Sequence, residues 1–351
     1  MRSSIASQVI RLGIELKSRV KRLKLVDVGV IVAALWSLWV AFSWHAPHWF
    51  EVESFSDTAQ GWIFGDWLTN YSGGFVRRGL SGEAFLLIPL ESNLWLSAVA
   101  VFQMALLLTF VTITLVLYFN SARTEAWALL IVSPAFVLFF GLNKELLVRK
   151  ELLGLTVIAA LALAIRRRAH PVIFVIGVLL VPISGLVHEA NALLFPTGLA
   201  FIWVLQKRSQ ITRRLSLLLT TALAGGSALV LGVSIIFNGN EFQAGKICEV
   251  LLERGMNELI CRGPIEVIAN NTAQDALVTV ASLARVHLGY LPLLGAALVP
   301  FIFLRVSKQI WVVIALQTFV ISPLFVIATD YGRWIWIIVA VNSLFVLAIS
   351  D

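Results

Sequence analysis

Long apolar runs recur along this chain, separated mostly by short polar segments. The pattern predicts helices that cross a membrane. About ten spans are expected, at about 28–44, 94–118, 126–141, 152–165, 171–187, 192–206, 215–237, 290–305, 310–328 and 335–350. The expected fold is an all-α polytopic integral membrane protein with one transmembrane domain over 27–351. Ahead of it, Ile5, Val9, Leu12, Leu16, Val20 and Leu23 recur at helical spacing among Arg11, Lys17, Arg19, Lys21, Arg22 and Lys24. Residues 1–26 therefore predict an amphipathic basic helix lying on the cytoplasmic leaflet.

Two longer stretches, 45–93 and 238–289, are expected as extracytoplasmic loops. The first collects Trp49, Trp62 and Trp67 between Trp44 and Trp95, a composition suited to the membrane interface. Within it, EAFLLIPLE (83–91) predicts a short re-entrant or interfacial helix, because Pro89, Glu83 and Glu91 oppose a span. In the second, ICEVLLERGMNELIC (247–261) predicts a short helix, and helical periodicity continues over 267–286.

Composition agrees with this class: 59% of the 351 residues are hydrophobic, 13% are charged, and mean hydropathy is +0.90. The distribution of charge orients the chain. With loops assigned alternately to two sides, one side carries 17 basic and 4 acidic residues and the other 10 basic and 16 acidic. The first includes Arg123, Arg166–Arg168, Lys207, Arg208, Arg213, Arg214, Arg305 and Lys308. The positive-inside rule makes it cytoplasmic, with both termini there. The net charge of +7 then reflects topology and contact with anionic membrane lipids, and needs no nucleic-acid partner. The first apolar run follows more than twenty polar and basic residues without a cleavage signature, and is expected to stay as an anchor.

The remaining charge is concentrated in four motifs at the outer ends of spans, where chemistry explains it better than topology does. In NYSGGFVRRG (70–79), Gly73 and Gly74 precede Arg77 and Arg78, so backbone N–H groups and guanidinium groups can meet a phosphate or diphosphate. In NKELLVRKE (143–151), Lys144, Arg149 and Lys150 offer a second anion contact, or a salt-bridge network with Glu145 and Glu151. His188–Glu189 can relay a proton, hold a hydroxyl, or simply pair at a helix turn. Asp330 and Arg333 can pair with each other, or Arg333 can join the phosphate contacts while Tyr331 and Trp334 offer faces to a sugar or lipid. Asp57 and Asp66 precede the first motif and supply carboxylates.

Cys248 and Cys261 share the second outer loop, as a disulfide in an oxidising compartment or as two free thiols. No Walker A loop, Gly-x-Ser-x-Gly elbow, CxxC pair or His-Glu-x-x-His spacing occurs, so ATP hydrolysis is not expected and no dedicated metal site is expected. The middles of the spans carry almost no charge, against an ion-coupled transporter.

Many spans, a long first outer loop carrying Asp57 and Asp66, and outward Arg and Lys clusters together resemble the polytopic glycosyltransferases of the GT-C type. Bacterial envelope polysaccharide polymerases are built similarly. The chain departs from the best-known members in lacking a large C-terminal soluble domain and an Asp-Glu dipeptide in that loop. The resemblance implies sugar transfer from a polyprenyl phosphate or diphosphate carrier to a saccharide or lipid-linked acceptor, at the outer face of the bacterial inner membrane. It implies a base or acceptor-orienting role for Asp57 or Asp66, with Glu189 as a further carboxylate. Arg77, Arg78, Lys144, Arg149, Lys150 and Arg333 would hold the phosphate. A divalent cation, Mg or Mn, could accompany a diphosphate. The alternatives are a transporter or flippase of a lipid-linked anion, and an accessory subunit whose outer loops dock a partner.

Overall fold

The computed structural model describes residues 23–46, 61–90, 94–142, 148–270, 278, 289–328 and 330–350. Asp57, Lys144, Glu145 and most of the predicted basic N-terminal helix lie outside these residues. Among the described residues the chain is all-helical, and five helices are long and apolar enough to cross a membrane.

The order is α1 (Leu25–His45), α2 (Leu80–Leu86), α3 (Trp95–Phe119), α4 (Glu125–Ile131), α5 (Glu151–Arg166), α6 (Pro171–Val187), α7 (Phe195–Lys207), α8 (Arg213–Ile236), α9 (Glu241–Glu253), α10 (Pro264–Asn270), α11 (Tyr290–Phe303), α12 (Lys308–Ile321) and α13 (Tyr331–Ile349). A π-helical turn, Gly61–Gly65, leads into the helical turn Asp66–Leu68.

The apolar run at 126–141 is not one helix. It breaks after Ile131, resumes only at Phe139–Leu142, and contains Pro134 at the break. Proline cannot continue the hydrogen-bond ladder and disfavours helix in the residue before it. Pro323 similarly follows the end of α12, so the run at 310–328 is a 14-residue helix followed by the turn Leu324–Ile327. Between α1 and α3, helix α2 starts earlier than the 83–91 segment and stops short of Pro89.

Helix α13 is the axis of the bundle: 89% of its apolar window is buried, against 28% for α1, 28% for α8 and 22% for the span Lys308–Val326 that α12 and the following turn make together. A helix apolar all round belongs inside, and α13 packs against α3, α5, α7, α11 and α12. Helix α5 is the second inner element, packed against α3, α6, α7 and α13. The outer helices leave Trp39, Leu217, Ile235 and Phe319 exposed, an apolar face suited to lipid. Polar contacts tie the bundle internally, as where Gln317 of α12 donates to the Leu193 carbonyl at 2.9 Å and accepts from the Thr197 hydroxyl at 2.8 Å.

The two ends of the bundle differ chemically. At one end the buried Asp27 accepts from Tyr118 at 2.9 Å and from Arg123 at 3.1 Å, and Arg166 donates to the carbonyls of Asn120 and Ser350. Arg166 closes α5, and Lys207 closes α7, where cations complement the helix dipole. At the other end α5 and α13 begin side by side, and α6 ends at His188. The charged motifs assemble there.

Candidate functional site

Residues from all four charged motifs meet at this second end. Arg78 grips Glu189 with two guanidinium nitrogens, Nε to Oε2 at 2.7 Å and Nη2 to Oε1, the bidentate geometry that matches the two planar groups. Arg77 Nη1 stands 4.0 Å from the same carboxylate. Lys150 is fully buried. Its ammonium donates to the Arg78 carbonyl at 2.7 Å and lies 3.8 Å from Asp66 Oδ1. Glu151 Oε1 lies 3.3 Å from His188 Nε2 and 3.2 Å from Arg333 Nη1, while Arg333 Nη2 holds Asp330 at 2.5 Å.

Local structure explains why these side chains stay fixed. Arg78 and Val148 both have positive φ, 66° and 56°. For a β-branched residue such as valine this is a strained backbone, with a cost of about 1–3 kcal/mol that the surroundings must sustain. The Trp67 indole sustains it at Val148 by donating to that carbonyl at 3.0 Å. Asn191 donates to the carbonyls of Lys150 and Ser184, both at 3.1 Å, locking the start of α5 to the end of α6. It approaches because α5 carries Gly154 opposite: a Cβ there would stand 2.4 Å from Asn191 Oδ1.

The disulfide Cys248–Cys261 joins α9 to the 3-10 turn Glu258–Cys261, with the Cα atoms 5.4 Å apart. That turn lies directly on the helical turn that carries Asp66. A Cβ on Gly61 or Gly65 would come within 2.5 Å of the Leu259 or Ile260 carbonyl. Gln243 of α9 donates to the Phe75 carbonyl at 2.9 Å, so the same unit also holds the strand of chain leading to Arg77.

The electrostatics follow from burial. Burial pushes the Lys150 ammonium down to about 8, although neighbouring Asp66 opposes the shift. Burial and the nearby Arg333 lower Arg149, whose guanidinium lies 5.5 Å over the Trp62 ring and whose Nε finds no acceptor among the described residues. Burial would raise Glu189, but Arg78 overrides it and holds this carboxyl well below the ordinary range. Burial, with Arg78, lowers His188 to about 4. Its Nδ1 accepts from the Ala190 N–H at 3.2 Å, so the ring proton sits on Nε2, facing Glu151.

The sequence candidates therefore separate into groups. Asp66, Arg77, Arg78, Arg149, Lys150, His188, Glu189, Asp330 and Arg333 come together. Nδ1 of His188 is taken by the Ala190 N–H and Nε2 lies 3.3 Å from Glu151, which suits an orienting group as well as a relay. Arg333 is held by two carboxylates, so less of its charge is left for an added anion. Tyr331 is buried, its hydroxyl donating to the Phe325 carbonyl and its ring against Tyr290 and Phe325. Trp334 is buried too, so neither presents an open face. Glu151, Asn191 and Trp62 were not singled out as site residues in the sequence. Glu151 and Asn191 lay inside the motifs, but their partners are remote in the chain.

A family described as uncharacterised membrane protein Rv1490 matches residues 30–276, which span α1 to α10 and hold every site residue named here except Asp330, Tyr331 and Arg333. The chain belongs to that family. It is 27% identical over 248 residues to the uncharacterized proteins Rv1490 of Mycobacterium tuberculosis (strain ATCC 25618 / H37Rv) and Mb1527 of Mycobacterium bovis (strain ATCC BAA-935 / AF2122/97). Each match covers 65% of this chain and 53% of the relative, so the chain matches about half the length of these relatives. No solved structure matches the chain.

Among the described residues no three His, Cys, Asp or Glu side chains gather as metal ligands. The carboxylates face cations instead: Asp66 faces Lys150, Glu151 faces Arg333, and Glu189 faces Arg78. This donor set does not fit a divalent cation.

Proposed function

We propose that this cluster binds the phosphate of a lipid-linked sugar and that the protein is a membrane glycosyltransferase or polysaccharide polymerase. In this reading about ten apolar segments traverse the bacterial inner membrane, both termini are cytoplasmic, and the cluster faces outward.

The observation that carries the reading is the buried Asp66 carboxylate. Its Oδ1 accepts no hydrogen bond among the described residues, yet it stands beside Lys150 and the Arg77–Arg78 pair. A carboxylate with an unused lone pair next to cations suits a base beside an anion site. Counting the residues brought together, five cations (Arg77, Arg78, Arg149, Lys150, Arg333) stand against four carboxylates (Asp66, Glu151, Glu189, Asp330). The cation in excess favours an added anion.

The chemistry balances simply. The acceptor hydroxyl oxygen attacks the anomeric carbon, and its proton passes to Asp66. The anomeric C–O bond to phosphate breaks, and its electron pair leaves with the phosphate oxygen. Arg77, Arg78, Arg149 and Lys150 neutralise the charge that develops there, while Glu189 holds Arg78 in place.

The test is a panel of polyprenyl phosphate and diphosphate sugars offered to purified protein, with donor consumption and donor binding both measured. Asp66→Asn should lower turnover by roughly 10²–10⁴-fold with donor still bound, as loss of a general base does. Arg78→Ala should weaken donor binding itself. Donor movement across the bilayer without consumption, undiminished in Asp66→Asn, would favour a transporter. No interaction with any donor would remove both readings.

A further inference from the structure

At the basic end of the bundle, opposite the charged cluster, a cavity of about 190 Å³ opens between the end of α7, the start of α12 and the last turns of α13. That is several times the roughly 30 Å³ share of one water molecule. Its mouth carries Lys207, Arg208 and Ser307, and its wall is Trp203, Phe345 and Ile349. No carboxylate among the described residues lines it. Lys207 Nζ sits 5.0 Å over the Trp203 ring, which holds the ammonium at the mouth. Arg208 is exposed and has no carboxylate partner among the described residues. Ser307 caps α12 by accepting from the Ile310 N–H, so the first-turn N–H groups of a 14-residue helix border the same opening.

We propose that this cavity is a binding site for an anionic phospholipid of the leaflet that meets the basic end. Charge complementarity selects the occupant. Two cations with no carboxylate beside them among the described residues recognise a phosphate, and the apolar wall below them accepts the glycerol and first acyl methylenes, which an inorganic anion lacks. The partly exposed Trp203 supplies the amphipathic ring that marks a headgroup-level contact. The site is independent of the outward cluster and of the glycosyltransferase reading.

The experiment uses the purified full chain in neutral detergent, with phosphatidylglycerol, phosphatidylcholine, polyprenyl phosphate or inorganic phosphate added. Retained lipid is counted by native mass spectrometry, and thermal protection is measured in parallel. Phosphatidylglycerol should be retained and protect, and the other three should not match it. The double variant Lys207→Gln/Arg208→Gln should weaken retention about 30-fold, from roughly fivefold per basic group near a membrane surface. Both side chains are exposed, so the fold should survive, as shown by an unchanged elution profile. Ile310→Trp, which fills the cavity without changing charge, should also displace the lipid. Arg213→Gln/Arg214→Gln, exposed at the same end but outside the cavity, should leave retention unchanged. Equal loss in that control, or no loss with Ile310→Trp, would show a general basic surface and overturn the site. Equal protection by inorganic phosphate, or preference for polyprenyl phosphate, would overturn the choice of occupant.

Discussion

Asp66 and Lys150, 84 residues apart in the chain, are buried side by side, Oδ1 to Nζ at 3.8 Å. The distance is long for a hydrogen bond, and the ammonium spends its close contact on the Arg78 carbonyl at 2.7 Å. Lys150 thus links the turn bearing Asp66 to the loop bearing the two arginines. Removing its charge leaves Asp66 buried with no cation in contact. Lys150→Met also orphans the Arg78 carbonyl and should lower the thermal midpoint, by about 1–3 kcal/mol of stability. Adding Asp66→Asn to Lys150→Met should recover the part of the loss that comes from the unpaired carboxylate. Thermal unfolding of both singles and the double variant tests the coupling, and simple additivity would break it.

The Lys150 ammonium, depressed to about 8, gives a pH signature. Below pH 8 it is charged in the folded protein, and above pH 8 it loses its proton there while the unfolded chain keeps its own. Donor binding should fall as pH rises through 8. Stability contributed by this group should instead rise between pH 8 and the ordinary lysine value, because the unfolded state then binds more protons. Binding titrated from pH 6.5 to 9.5 should lose this inflection in Lys150→Met.

The Gly154–Asn191 contact predicts a steric failure. Gly154→Ala puts a methyl 2.4 Å from Asn191 Oδ1 and forces Asn191 off the Lys150 and Ser184 carbonyls. The expected loss is about 2–4 kcal/mol, from overpacking and orphaned carbonyls together. Asn191→Ala removes the contact at 2.4 Å but keeps a Cβ 2.8 Å away, so the double variant should be relieved only in part, whereas Asn191→Gly should relieve the clash. A midpoint series in detergent settles it.

Reduction of Cys248–Cys261 should loosen the clamp on the Asp66 turn. The closed loop has a sequence separation of 13, for which chain entropy gives about 3 kcal/mol. Hydrogen exchange over residues 61–68 should accelerate on reduction, while exchange in α13 stays slow. Unchanged protection at 61–68 would mean that packing of the Leu259 and Ile260 carbonyls alone holds the turn.

The two chemically distinct ends make the proposed topology testable. Reporter fusions near 189, 260 and 331 should report outside, and those near 123, 167, 210 and 307 inside. A fusion near 189 on the same side as one near 167 would place the cluster on the cytoplasmic face and end the outward reading.

Hydropathy and charge made much of this protein legible. Apolar runs imply helices in lipid because an unpaired backbone cannot stay there, and basic loops predict an orientation because insertion sorts charge. The four motifs stood out for the same reason, as charge that insertion does not explain. Their local pairings were not legible. Sequence spacing suggested Asp330 for Arg333, and the fold adds Glu151; His188 and Glu189 are neighbours in the chain, yet one faces Glu151 and the other Arg78. Proline breaks at 134 and 323 were visible as residues, but whether a short helix still serves as a span depends on its neighbours. Periodicity is local, whereas which cation meets which carboxylate depends on how α5, α6 and α13 bring their ends together. Tertiary packing alone decides that, through contacts such as Gly154 on Asn191 that no sequence pattern encodes.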